Sequence, residues 1–327
     1  VKVIVEAPAR LHLGFLDLGG QCGRLFGSIG VALERPRWVV EAVPAERATA
    51  DGESAPEVLA VLERLGRDAG GVPPVAIRTV EGIPRHVGFG SGTQLGLAVA
   101  LAASRATGRS VEARELAPSL GRGQRSGIGI AVFARGGFVV DAGRRSKGAA
   151  VEGLGAAGDD EVPPVVFQHP LPGDWFFVLV TPAGTQGLSG AAEAGIFATL
   201  PPMAEDRIGR ICRLALMTVI PAVMTDDIDA FGAAITEIQG IVGEYFAPHQ
   251  GGVYATATGR EVADFAMRHG ACGVGQSSWG PTVFVVVRGE PCAARLAAAI
   301  RAHLGDDRSA VSYTPARNHG ATWRVET

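Results

Sequence analysis

The stretch His86-Val87-Gly88-Phe89-Gly90-Ser91-Gly92-Thr93-Gln94 sets glycines and small hydroxyl residues directly ahead of an alanine- and leucine-rich run over 93–106. A helix beginning there offers unpaired backbone N–H groups and the positive end of its dipole, which together bind anions. The glycines admit a ligand close to the backbone, and the Ser91 and Thr93 hydroxyls add donors. Phosphate binding is the chemistry this pattern suits. The loop is not a Walker loop, because no lysine follows the last glycine, and it is not a dinucleotide fingerprint with its ribose-binding acid. An ordinary glycine turn before a capped helix would have the same composition.

Two further segments supply charge. In Gly121-Arg122-Gly123-Gln124-Arg125-Ser126-Gly127, two planar guanidinium groups stand three residues apart and suit bidentate contact with phosphate. Pro8-Ala9-Arg10-Leu11-His12-Leu13-Gly14 follows the first apolar run, with Asp17 and Arg24 close behind. Plainer readings stand beside these. Arg10 and Asp17 would form a structural ion pair at a sheet edge, and His12, between Leu11 and Leu13, would be a satisfied, half-buried histidine. His86 would cap or orient the glycine loop. The basic run Arg144, Arg145, Lys147 reads as solvated surface.

The elements that must hold these residues follow from periodicity. Strands are predicted over 1–6, 31–43 and 75–80, with helices over 56–66, 93–106 and 112–120. Residues 127–134 and 136–141 read as adjacent strands joined by a glycine turn. The Gly-, Ala- and Pro-rich stretch over 144–164 reads as a loop or connector. Beyond it come a strand over 175–181, two long apolar-periodic segments over 205–223 and 227–245, a helix over 260–269, a strand over 282–288, a helix over 291–304 and a last strand over 321–326.

The chain has 327 residues, more than one core usually holds, so two domains of roughly 150 residues are expected. With 47% hydrophobic and 19% charged residues there is material for a large core and little reason for disorder. A formal net charge of -3 argues against nucleic acid or an anionic membrane as the main partner. Cys22, Cys212, Cys272 and Cys292 form no CxxC pair, so they are expected to be reduced core residues rather than metal ligands. The start of the chain lacks the layout of a signal peptide, and no uninterrupted apolar run approaches the roughly 18 residues of a membrane span. A cytoplasmic protein is the expectation.

Taken in order, Pro8 to Gly14, Pro84 to Thr93 and Gly273-Val274-Gly275-Gln276-Ser277-Ser278-Trp279-Gly280 resemble the three motifs of the GHMP kinase superfamily. The resemblance spans nearly the whole chain and implies an α+β, GHMP-kinase-like two-domain fold. An N-terminal ribosomal protein S5 domain 2-like domain would cover 1–165, a C-terminal ferredoxin-like domain 166–327, and ligands would lie in the cleft between them. Arg10 stands where those kinases have lysine, and His12 where they have asparagine. Many carry an aspartate as candidate base in a stretch comparable to 125–132, and no acid appears there.

A narrower resemblance is to the β-ribofuranosylaminobenzene 5'-phosphate synthase family. It is carried by Arg10 to Leu18, by Gly23-Arg24-Leu25-Phe26-Gly27-Ser28-Ile29-Gly30, by Gly90 to Leu95 and by Gly121 to Gly127. It implies condensation of phosphoribosyl pyrophosphate with 4-aminobenzoate or 4-hydroxybenzoate, with loss of pyrophosphate and CO2, in tetrahydromethanopterin biosynthesis. Magnesium is implied by the donor, without indicated ligands. On this resemblance Arg10 or Arg24 would clamp the benzoate carboxylate, with His12 orienting a neighbouring group. Asp17 would steady Arg24 or His12 or hold magnesium through water. Ser28, His86, Gly88, Gly90, Ser91, Gly92, Thr93, Gln94, Arg122 and Arg125 would bind phosphate or substrate. An ATP-dependent small-molecule kinase and a non-catalytic phosphate sensor are the competing readings, and a homodimer through 205–245 is an expectation alongside them.

Overall fold

The structure, a computed structural model, describes residues 1–67, 73–145, 162–188, 190–305 and 307–326. Two long strands open the chain, β1 (Lys2–Asp17) and β2 (Arg24–Pro44). After them come β3 (Thr49–Asp51), α1 (Ala55–Arg67), β4 (Val75–Glu81), α2 (Ser91–Ala106), α3 (Ala113–Ser119), α4 (Ile128–Arg135), β5 (Phe138–Asp141), β6 (Arg144–Arg145) and β7 (Val165–His169). The second half holds β8 (Trp175–Pro182), α5 (Gly190–Thr199), α6 (Glu205–Leu214), a π-helical turn at Ala215–Val219, α7 (Ile220–Thr225), α8 (Ile228–Gln250) and α9 (Ala257–Arg268). It ends with β9 (Gly273–Gln276), β10 (Val283–Arg288), α10 (Glu290–Leu304), β11 (Ser309–Pro315) and β12 (Thr322–Glu326).

In the first sheet β12, β1, β2, β4 and β3 lie in that order, while β5 and β6 pair with the other end of β2, and β7 with β5. The central helix α2 is buried from Gln94 to Ser104, because its small and aliphatic residues let it lie against β1 and β2 on several sides. Each aliphatic side chain so buried, such as Leu97 or Val99, is worth about 1.5–3 kcal/mol. The second sheet runs β11-β8-β10-β9, all antiparallel, which is the ferredoxin-like order for strands 4-1-3-2 of a βαββαβ unit. The helix α8 joins the two halves. Gln239 on it donates through Nε2 to Leu13 O at 2.7 Å and accepts from Gln276 N at 2.8 Å.

Several expectations are corrected. Residues 128–135 form helix α4 rather than a strand, with Ile128 and Val132 buried against Ala32 and Val139 of the sheet. A boundary between 165 and 166 does not part the two sheets, since β7 pairs with β5 and β12 returns to β1. Arg144 and Arg145 are a short strand beside Arg24 and Leu25, and Arg144 donates to Gln124 O at 2.6 Å. Residues 146–161 of the expected connector, Lys147 among them, lie outside the described residues. Cys22, Cys212 and Cys292 are exposed and Cys272 half-buried, so none is a core residue.

Glu205–Thr225 is long and apolar enough to cross a membrane by length and composition. In the fold it lies along α8, with Ile208, Ile211, Leu214, Val219 and Val223 buried and Arg210 bonded to Glu237 at 2.6 Å.

Candidate active site

The three motifs meet at one carbonyl. Gly88 O accepts from Arg10 Nη1 at 2.5 Å and from Ser277 Oγ at 2.7 Å, and Ser277 Oγ in turn accepts from His12 N at 3.0 Å. Backbone bonds reinforce the junction: Arg10 N donates to Phe89 O at 3.1 Å, and Ser278 N to His12 O at 3.3 Å. Gly88 is required twice over. Its φ of 101° is left-handed, and a Cβ there would lie 2.5 Å from Ser277 O.

Around this junction opens a cleft of about 790 Å³. The N-terminus of α2 forms its floor. Gly90 enters the helix at φ 70°, and among the described residues no side chain caps it; Thr93 N and Gln94 N donate to Gly90 O at 3.1 Å, which leaves the N–H groups of Ser91 and Gly92 at the cleft that Gly90, Ser91, Gly92 and Thr93 line. Arginines surround that floor. Arg122 packs over Gly92, whose Cβ would stand 3.5 Å from Arg122 Nη2, and the buried Arg122 Nε has no hydrogen-bond partner among the described residues. Burial lowers the Arg122 pKa, and the like charge of Arg64 adds to the effect. Arg125 bonds Glu193 at 2.8 Å and lies over the Phe197 ring. Arg10 is lowered by burial to about 10, against the attraction of Glu193, and so stays charged near neutrality. Guanidinium groups packed against Gly90 and Gly92 at a helix N-terminus are the kind of arrangement that suits an anion with more than one negative charge.

The chain matches the GHMP kinases N terminal domain over residues 57–137 and the GHMP kinases C terminal domain over residues 219–306. A beta-ribofuranosylphenol 5'-phosphate synthase of Methanothermobacter thermautotrophicus is 33% identical, with 98% of each chain aligned. One from Archaeoglobus fulgidus is 34% identical over 86% of this chain and 87% of its own. The chain belongs to the beta-ribofuranosylphenol 5'-phosphate synthase family. Its fold is that of the GHMP kinases: a homoserine kinase from Cytophaga hutchinsonii superposes with a TM-score of 0.64 at 17% identity, covering 99% of this chain and 97% of its own. Mevalonate diphosphate decarboxylase from Staphylococcus aureus gives 0.67 at 14% identity, over 99% and 98% of the two chains.

In this synthase-family chain the cleft gathers Arg10, His86, Gly88, Gly90, Ser91, Gly92, Thr93, Arg122 and Arg125 from the residues singled out in the sequence. The others lie elsewhere. Asp17 Oδ1 accepts from Gly19 N at 2.7 Å and Gly20 N at 2.8 Å, closing a turn rather than pairing with Arg10, Arg24 or His12. Arg24 donates to Ala142 O and Gly143 O, both at 2.7 Å, and so ties down a turn instead of lining the cleft. Gln94 points inward and donates to Gly129 O at 2.7 Å. Ser28 is fully buried opposite Asp141, close enough to lower its pKa but without a hydrogen bond of normal geometry. His12 is buried behind the cleft, at its junction with α8.

Two acids escaped the sequence reading. Glu193, on α5, faces Arg125 and Arg10; burial raises its pKa, while Arg125, Arg10 and Trp279 oppose the rise. Its signal was available, since it is the only charged residue between Pro182 and Ala204. Asp141 is buried at the end of β5, where it accepts from Gly127 N at 2.9 Å and Gly143 N at 2.8 Å and so fixes the turn that follows Arg125. Burial raises it to about 6 against those bonds. Among the described residues no group of three His, Cys, Asp or Glu side chains is placed to hold a metal. Glu193 and Glu57 are the carboxylates among the residues lining the cleft, and each pairs with an arginine, Arg125 and Arg85, so a magnesium ion there would have to arrive on substrate phosphates rather than be held by protein alone.

Proposed function

We propose that the chain condenses phosphoribosyl pyrophosphate with a para-substituted benzoate, releasing pyrophosphate and CO2, as a cytoplasmic enzyme of tetrahydromethanopterin biosynthesis. The observation that carries this reading is the meeting of Arg10, Arg122 and the uncapped N-terminus of α2 in one cleft, in a chain 33% identical to a beta-ribofuranosylphenol 5'-phosphate synthase over 98% of its length. The relatives' product name, a phenol, favours 4-hydroxybenzoate as the acceptor.

The residues divide the work by charge. The first-turn amides of α2 take the pyrophosphate, whose negative charge grows as the C1–O bond breaks and the leaving oxygen keeps the electron pair. Arg122, beside Arg64, takes the 5'-phosphate. Arg10 holds the benzoate carboxylate against the junction. The ring carbon bearing that carboxylate forms the bond to ribose C1; loss of CO2 then returns an electron pair to the ring and restores aromaticity. Magnesium, held through Glu193 or Glu57, would supply further charge to the pyrophosphate.

Carboxyl-labelled 4-hydroxybenzoate, incubated with phosphoribosyl pyrophosphate and magnesium without ATP, should release labelled CO2 only when the ribose donor is present. No release, together with ATP consumption on a small alcohol, would return the chain to the kinases whose fold it shares. For assembly we propose a homodimer with Leu216, Met217 and Met224, all exposed, at the contact; mass measurement by analytical ultracentrifugation at micromolar concentration tests it.

A further inference from the structure

Behind Ser278 and Trp279, which line both spaces, the cleft adjoins a smaller cavity of about 30 Å³, room for about one or two water-sized groups. Aromatic rings and glutamines share its walls: Phe15, Phe246 and Trp279 stand with Gln239, Gln250 and Gln276. The Phe246 and Trp279 rings lie 4.4 Å apart between centroids, and Phe15 lies 4.5 Å from the imidazole of His12. The glutamines are engaged with protein: Gln239 Oε1 accepts from Gln276 N at 2.8 Å, Gln276 Oε1 accepts from Ala255 N at 2.7 Å, and Gln250 Nε2 donates to Gly252 O and Val253 O, both at 3.0 Å. His12 differs. It is only 3% exposed, yet its Nε2 has no hydrogen-bond partner among the described residues. A buried nitrogen left so is costly unless a ligand meets it.

We propose that this cavity receives the para substituent of the acceptor ring, and that His12 Nε2 accepts a hydrogen bond from its hydroxyl or amino group. The proposal rests on the synthase reading above. Arg10 and His12 are two residues apart on β1 and leave the strand on the same face, roughly 7 Å apart. Two side chains on one face of a strand, a long guanidinium arm on one side and an imidazole on the other, can meet the carboxylate and the para group of a single benzoate. Burial, helped by the charge of Arg10, pushes the imidazole pKa down to about 3 and keeps it neutral. With its proton on Nδ1, the Nε2 lone pair is available to the substrate. A hydrogen bond there draws negative charge onto the para oxygen or nitrogen, and the ring passes it to the opposite carbon, the one that bonds to ribose C1. No proton leaves the substrate in this step. His12 is thus a catalytic residue that also selects acceptors carrying a para donor.

The test is a ligand cycle on the full chain. The wild type should bind 4-hydroxybenzoate about tenfold more tightly than unsubstituted benzoate, the value of one hydrogen bond. His12→Phe, which keeps a ring in the core, should bind the two alike. A preference that survives in His12→Phe overturns the proposal. Should that variant not fold, nitrogen NMR of the wild type decides: the His12 Nε2 resonance should move when 4-hydroxybenzoate is added and stay still with benzoate. Movement with both, or with neither, overturns it. Labelled CO2 release by the wild type reports separately on the synthase reading.

Discussion

Arg10 and Gly88 lie 78 residues apart in sequence, and the guanidinium of one donates to the carbonyl of the other over 2.5 Å. The same carbonyl accepts from Ser277 at 2.7 Å. A residue from each motif therefore meets at a single oxygen, and the charge of Arg10 is fixed beside the helix N-terminus rather than free to swing. Substitutions around this point should separate stability from chemistry.

Gly88→Ala should cost about 2–5 kcal/mol, because a methyl must be placed at positive φ and against the Ser277 carbonyl. Urea denaturation measures it. A cost under about 0.5 kcal/mol, within the range of a surface change, would show that the junction yields easily.

Arg122→Ala should weaken binding of the ribose 5'-phosphate end. The expected result is a rise of about tenfold to a hundredfold in the KM for phosphoribosyl pyrophosphate, the worth of one charge-assisted contact, with the KM for the benzoate unchanged. Equal rises in both constants would place Arg122 elsewhere in the scheme.

Glu193→Gln removes the carboxylate that Arg125 and Arg10 now face. Inorganic phosphate, titrated without metal, should then bind several-fold more tightly, since it no longer competes with a protein anion for the same arginines. Unchanged or weaker phosphate binding would mean that Glu193 does not stand in an anion's place.

Asp141 gives a pH signature. Its folded pKa, raised by burial to about 6, lies above its ordinary 3.8. Its contribution to stability is thus full below pH ~4 and lost as pH rises through about 6. The loss is at most about 3 kcal/mol at 1.36 kcal/mol per unit. Asp141→Asn should flatten the stability profile between those values relative to the wild type, measured by denaturation at matched pH. Parallel profiles would assign the slope to other groups.

Much of the site was legible because its parts are local. Glycines that take positive φ, such as Gly88 and Gly90, have to be small wherever the rest of the chain goes. The helix they introduce is marked by its own alanines and leucines, so Ser91 to Thr93 could be placed at a helix N-terminus from composition alone. Arg10 and Arg122 were legible as charges in otherwise apolar or glycine-rich strings. Their partners were not, because Arg10 to Gly88 and His12 to Ser277 are contacts across 78 and 265 residues that no local pattern encodes.

The stretch over 127–134 shows the same limit. Glycines and β-branched residues suggested a strand, yet tertiary packing makes it helix α4: Ile128 sits so close over Gly30 that a Cβ on that glycine would be 2.3 Å from Ile128 Cγ2. Short apolar runs fit either period, and the neighbouring surface decides between them. Asp17 and Arg24 could also have faced a ligand by type and spacing; the fold spends both on backbone groups of nearby turns. The sequence by itself determined the family, the glycine loop that opens α2 and the alternating order of most elements, since these depend on residue type at short range. Only the tertiary structure decided which charges face the cleft and that Glu193 shares it. It also decided that His12 is buried with a nitrogen that meets no partner among the described residues, because burial and pairing are properties of what the chain brings together from a distance.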